Sequence, residues 1–181
     1  MNRKEVFFLI FRYIILITLG TFNLYIFYLI FTPLTVIPSF LALKLLFDAN
    51  LISLTILNPG AVIFIKGFYA TIIPACVAGA AYYFLLILNL TTPMGLKKRI
   101  GSILFLFSTF LFLNILRIII FAAIISEDFQ YFNQAHTFTW YFGSTLLVIL
   151  IWFTNVKIFK IKDIPVYTDI KSIWKDVFRK E

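Results

Sequence analysis

The chain has 181 residues, of which 62% are hydrophobic and only 13% charged, and its mean hydropathy is +0.99. A soluble domain carries about 25% charged residues, so this composition excludes one and marks an integral membrane protein. The net charge of +8 has no groove or nucleic-acid-binding motif to present it, so it reads as a topology signal and no nucleic-acid partner is expected.

Val6 to Phe31 is long enough to span, with Arg3, Lys4 and Arg12 at its front and Pro33 ending it. It is too long for a cleavable signal peptide, and no small-residue cleavage pattern follows it. Leu34 to Phe47 is apolar but covers only half a span, which suits a short interfacial or re-entrant helix better than a crossing. From Leu51 to Lys66 the pattern changes: Ile52, Leu54 and Ile56 alternate with Ser53 and Thr55, and Asn58-Pro59-Gly60-Ala61 fits a type II turn. A small hairpin is predicted there.

Gly67 to Leu90 is the second spanning run, with Pro74 as a kink or as the first helical position. Thr91 to Arg99 is a turn that ends in three basic residues. Ile100 to Ile125 spans again, Ser126 to Ala135 is polar, and Phe138 to Val156 is the fourth span. In the tail, Ile170, Ile173, Trp174, Val177 and Phe178 recur at helical spacing opposite Lys171, Lys175 and Arg179. That is the pattern of an amphipathic helix on an anionic membrane surface.

The expected fold is therefore all-α: a polytopic helix bundle with about four transmembrane helices, a short interfacial helix and a small extracytoplasmic hairpin. Residues 1–156 form one membrane domain and residues 157–181 a basic cytoplasmic tail. Three basic residues stand at the N-terminus, three at 97–99 and seven in the tail; the remaining three of the sixteen are Lys44, Lys66 and Arg117. The positive-inside rule places the three groups, and with them both termini, in the cytoplasm. The crossings between Arg12 and Lys97 must then be even in number, which leaves no crossing for Leu34 to Phe47.

Counting along the helices from the cytoplasmic charges gives depth. Lys97 to Cys76 is 21 residues, Arg99 to Arg117 is 18 and Lys157 to His136 is 21. At about 1.5 Å per residue these are roughly 31, 27 and 31 Å, close to a hydrocarbon thickness of about 30 Å. Cys76, Arg117 and His136 thus fall near one outer face. Each helix offers a stripe to match: Cys76, Gly79, Ala80 and Tyr83 on one, Asn114 and Arg117 on the next, His136, Trp140, Gly143 and Ser144 on the last.

A thiol reacts as thiolate and is activated at a helix start or beside a cation. A histidine can take that proton and return it to a leaving amine. An arginine cannot lose its proton and suits a developing oxyanion. Cys76, His136 and Arg117 together are a minimal acyl-transfer set. The only cysteine in the chain cannot form an internal disulfide, one Cys with one His is too few for structural zinc, and no cofactor is implied.

Each residue also has an ordinary reading. A lone cysteine packs, a lone histidine at a helix mouth is interfacial, and an arginine near a span end can snorkel to the headgroups. Two rival classes follow. One is a non-catalytic assembly or scaffold protein in which Arg117 pairs with Glu127 or Asp128. The other is a transporter subunit, for which one intramembrane arginine without a polar pathway is thin support. The sequon Asn89-Leu90-Thr91 falls on the cytoplasmic side and is discounted as a glycosylation site.

Ala75-Cys76 at a helix start, Asn114-x-x-Arg117 ending forty-one residues beyond the cysteine, and His136 before the last span resemble the archaeosortase/exosortase family. The resemblance runs from about Phe64 to Phe153, and the flanking small hairpin is similar too. The wording Ile-Pro-Ala-Cys and Asn-Ile-Leu-Arg-Ile resembles a small archaeal branch. The resemblance implies a membrane-embedded cysteine protease or transpeptidase, with Cys76, Arg117 and His136 at the family's catalytic positions. Its partners would be surface proteins that end in a short motif, a transmembrane helix and a basic cluster. They would be cleaved at the outer face and passed to a lipid or another amine or hydroxyl acceptor. Two features differ from many members: fewer spans precede the cysteine, and Ala78 stands where glycine is common.

Overall fold

The computed structural model describes residues 11, 14, 15, 17, 18, 20, 21, 24–55, 60–125 and 129–161. Its described elements are α1 (Tyr25–Phe47), β1 (Asn50–Thr55), β2 (Gly60–Ile65), β3 (Phe68–Ile72), α2 (Pro74–Val77), α3 (Gly79–Thr91), α4 (Leu96–Ile125), α5 (Phe129–Phe138) and α6 (Ser144–Ile158). A π-helical turn, Thr139–Gly143, joins the last two. Four stretches are long and apolar enough to cross a membrane: Tyr25–Phe47, Pro74–Thr91, Leu96–Ile125 and Tyr131–Ile158. The chain is mostly helical but not all-α, because a three-stranded antiparallel sheet lies between the first and second of these stretches.

The first half of the chain departs most from its sequence pattern. The backbone breaks at Leu24, whose φ of 58° is left-handed, and α1 then runs on through Pro33 and Pro38 to Phe47. Val6 to Phe31 is therefore not one helix. Leu34 to Phe47 is not a separate short helix but the second half of α1, which is long and apolar enough to cross a membrane. A proline removes one helical hydrogen bond, and in an apolar bundle the remaining ladder has no water to exchange with, so the helix persists. Ser39 supports the stretch by donating to the Thr35 carbonyl at 2.7 Å. Among the described residues, two candidate spans, α1 and α2–α3, lie between position 24 and Lys97.

The sheet gains a strand that the sequence pattern assigned to a helix. Lys66 and Gly67 have φ of 46° and 89°, the two positive values of a type I′ turn, and they fold Phe68–Ile72 back onto β2. The second span therefore starts at Pro74 and not at Gly67. Ala61, Ile63, Ile65 and Ile72 are buried, and β1 and β2 lie against α1. A bulge between Leu51 and Ser53 shifts the phase of β1, so Leu51 and Leu54 face inward and Ile52 is exposed. Asn58 and Pro59 of the expected type II turn lie outside the described residues. So do Glu127, Asp128 and the tail helix from Ile170 to Phe178.

At mid-bundle the side chain of Tyr82 is fully buried and stacked on Phe31, ring centroids 3.6 Å apart. Phe107 and Phe110 meet it edge-on at 5.5 and 4.8 Å. Gly79 is required here, since a Cβ would fall 2.9 Å from the Tyr28 ring. One stripe of α4 runs the length of this core: Ser102, Leu106, Phe110 and Asn114, four apart and all buried.

The end of the bundle away from the sheet is closed by polar groups. Asn89 Nδ2 donates to Ser102 Oγ at 2.6 Å, and Ser102 Oγ donates to Asn155 Oδ1 at 2.9 Å, tying α3, α4 and α6. Asn89 is fully buried in these contacts, which rules it out as a glycan acceptor. Arg99 donates to the carbonyls of Asn89 and Leu90 at 2.7 and 3.2 Å, and to those of Thr92 and Met94 at 3.0 and 3.4 Å. It thereby caps the carbonyl end of α3.

Candidate active site

Ile73 is extended, with φ −98° and ψ 168°, and Pro74 opens α2 at a position where its missing N–H is no loss. α2 is a single turn of four residues. Ala78, at φ 58°, ends it and starts α3. Cys76 therefore does not begin a long helix, and the helix-dipole activation expected from the sequence is reduced to that of one turn. The same break interrupts the stripe of Cys76, Gly79, Ala80 and Tyr83: Gly79 turns inward while Ala80 is exposed.

A left-handed residue inside a helical run leaves carbonyls without their helical partners. Here Ala81 N–H bonds to the Ala78 carbonyl at 2.9 Å. Asn114, fully buried on α4, donates from Nδ2 to the Cys76 carbonyl at 2.8 Å and to that of Val77 at 3.5 Å. One turn further along α4, Arg117 donates to the hydroxyl of Ser144 at 2.9 Å and to the Cys76 carbonyl at 3.5 Å. The cysteine turn is thus pinned to α4 by two side chains at helical spacing.

Ser144 owes its position to the π-helical turn. Its N–H bonds to the Thr139 carbonyl, and its hydroxyl donates to the same oxygen at 3.2 Å. Gly143 permits this turn, because a Cβ there would fall 2.9 Å from Thr139 Cγ2. Such wide turns occur often at functional sites. His136 lies on α5 just before the turn, half-buried. Its ring stacks on Phe132 and meets Phe121 edge-on, both at 5.4 Å. The side chain of Trp140 lies outside the described residues.

Cys76, Arg117 and His136 line one cavity of about 90 Å³ with Ile73, Ala75, Phe121 and Thr139. They also line an adjoining space of about 340 Å³ between β3 and the α4–α5 corner. The space at this end of the bundle is large enough for a ligand in total, since ligand pockets run to about 300–1,000 Å³. The three residues come from three elements distant in sequence, and the arrangement supplies a thiol, an imidazole and a fixed guanidinium charge to one volume. Among the described residues no group of three His, Cys, Asp or Glu side chains converges to hold a metal ion.

Two contributors were not assigned a role by the sequence pattern. Asn114 was visible only as a neighbour of Arg117, and its bond to the Cys76 carbonyl depends on the break at Ala78. Ser144 was visible as part of a stripe, and its bond to Arg117 depends on the π-helical turn. Compared with protein-family models, with curated proteins and with solved structures, the chain matches none of them.

Proposed function

We propose that this protein is a membrane-embedded cysteine peptidase or transpeptidase of the archaeosortase/exosortase type. The observation that carries the reading is the convergence of Cys76, Arg117 and His136 on one cavity. Charge supports the orientation: Lys97, Lys98, Arg99 and Lys157 crowd the end opposite the sheet, and the positive-inside rule favours that end as cytoplasmic and the cavity as extracytoplasmic.

In the reaction His136 takes the Cys76 thiol proton and the thiolate attacks a peptide carbonyl carbon. Negative charge moves to the carbonyl oxygen, where the Arg117 guanidinium offers N–H donors. The C–N bond breaks, the amine leaves with the proton held by His136, and a thioester remains on Cys76. An acceptor hydroxyl, amine or water then gives its proton to His136 and attacks the thioester, restoring the thiol. The substrates are surface proteins that end in a motif, a transmembrane helix and a basic tail, and the acceptor is a membrane lipid, another amine or hydroxyl, or water.

The test is the mass of the C-termini of cell-surface proteins in cells carrying wild type, Cys76→Ser or Cys76→Ala. Wild type should yield substrates lacking their hydrophobic tails, and both variants should leave the tails in place at unchanged abundance of the enzyme. Identical trimmed C-termini in the Cys76→Ala strain would exclude covalent catalysis by this residue.

A further inference from the structure

β3 is an edge strand. The sheet order is β1-β2-β3, so among the described residues only one side of β3 is paired. Its five residues, Phe68–Ile72, include no proline and no charge, the usual devices that block strand addition. The type I′ turn also fixes which groups are unpaired. In a hairpin with a two-residue loop the flanking residues exchange hydrogen bonds, here Ile65 with Phe68, and bonded pairs recur at every second position. Ala70 and Ile72 thus bond to β2, whereas Tyr69 and Thr71 turn their N–H and C=O groups away from it.

β3 also lines the larger cavity. Tyr69, Ala70, Thr71, Ile72 and Ile73 all line it, although successive side chains in a strand point to opposite faces. Five consecutive lining residues, drawn from both faces of the strand, run the cavity along the length of β3, and Ile63 of β2 and Leu43 of α1 reach it from the inner side. The opposite wall is apolar, with Ile118, Phe121 and Phe132 among its residues, and Cys76, four residues after Ile72, lines the same space.

We infer that β3 binds the peptide substrate by strand addition: an extended segment next to the scissile bond pairs with Tyr69 and Thr71 and is led along the edge to Cys76. This rests on the peptidase reading for its purpose, but the docking can be measured without turnover. Main-chain pairing supplies affinity independent of side chains, and the apolar wall takes alternate side chains of the segment. At an apolar membrane face such a strand also satisfies polar groups on both partners that would otherwise meet hydrocarbon.

The probe is a short peptide of alternating valine and threonine ending in a 2-pyridyl disulfide. The full chain, in lipid nanodiscs, attacks it through its only cysteine; Cys76 thiolate displaces pyridine-2-thione, which is read by absorbance. The same peptide with alternate backbone nitrogens methylated cannot donate to the edge, and methyl methanethiosulfonate reports the intrinsic reactivity of the thiol. The unmodified peptide should label wild type about ten-fold faster than its methylated form, the worth of a pair of ordinary hydrogen bonds. Thr71→Pro removes an outward N–H without breaking a bond to β2. It should bring the peptide down to the methylated rate and leave the methanethiosulfonate rate and the melting temperature unchanged. Equal rates for the two peptides in wild type, which needs no variant to fold, would overturn strand addition. Peptide preference with no trimming of surface proteins would instead sink the peptidase reading and leave the docking standing.

Discussion

Arg99 and Arg117 stand on the same helix, eighteen residues apart, and each has a buried asparagine beside it. Arg99 directs its guanidinium at four main-chain oxygens where α3 ends, and its neighbour Asn89 is locked into a chain of side-chain bonds with Ser102 and Asn155. Arg117 has one firm bond, to a neutral hydroxyl, and a long contact to the Cys76 carbonyl, and it lines open space. What separates them is the supply of acceptors. A helix carbonyl end saturates Arg99, whereas at the other end Asn114 already serves the Cys76 carbonyl at 2.8 Å. A charge in a bundle is a staple where backbone oxygens surround it, and a tool where something else has answered them first.

The widest separation between the two ends should come from substituting the arginines. Arg117→Lys keeps the charge but loses the planar fork, and processing should fall by about 10²–10³, the usual cost of one oxyanion donor. Protein abundance, read beside it by immunoblot, should not change. Near-normal processing by this variant, with collapse of Glu127→Gln or Asp128→Asn, would make Arg117 a structural ion-pair residue and favour the scaffold reading. Arg99→Met should show the reverse profile. Unfolding in detergent should reveal a loss of about 2 kcal/mol, with turnover per folded molecule intact. An equally stable Arg99→Met protein would break the contrast.

Ser102→Ala removes the middle of the closed network and should cost about 1 kcal/mol, since membrane hydrogen bonds average less than their solitary strength. The rate of Cys76 labelling should be untouched, and a change in it would show that the two ends communicate through the α4 stripe. The smallest effect is expected at Ala78. Glycine relieves a left-handed alanine but loosens the unfolded chain, so Ala78→Gly should stabilise by about 0.5 kcal/mol. A loss of stability there would mean that the alanine methyl makes a packing contact worth more than the backbone strain.

The convergence of Cys76, Arg117 and His136 could be approached from the sequence because helices have a fixed rise and Lys97, Arg99 and Lys157 give each one a common origin. What was lost was local backbone geometry. Pro33 looked like a stop because proline ends helices in water, whereas α1 carries it among apolar neighbours. Phe68 to Ile72 ran without a polar break into the cysteine segment, so periodicity could not distinguish a buried strand from a helix; the one signal was Lys66-Gly67, a turn dipeptide of the type I′ class. Leu24, Ala78 and the bulge after Leu51 put ordinary side chains in unusual conformations, and nothing in residue type announces that. The roles of Asn114 and Ser144 followed from two such irregularities and were hidden with them.

The π-helical turn at Thr139–Gly143 has a genetic consequence. A wide turn amounts to one residue more than an α-helix needs, and one residue rotates a helix by roughly 100°. Loss of a single codon from this segment would leave composition and hydropathy almost as they are and would let a regular helix form. It would also swing α5 about its axis and carry His136 off the wall it shares with Cys76 and Arg117. Drift by substitution is cheap on the exposed side of this helix, but drift by length is not, and any descendant that keeps His136 on the wall it shares with Cys76 and Arg117 inherits the extra residue with it.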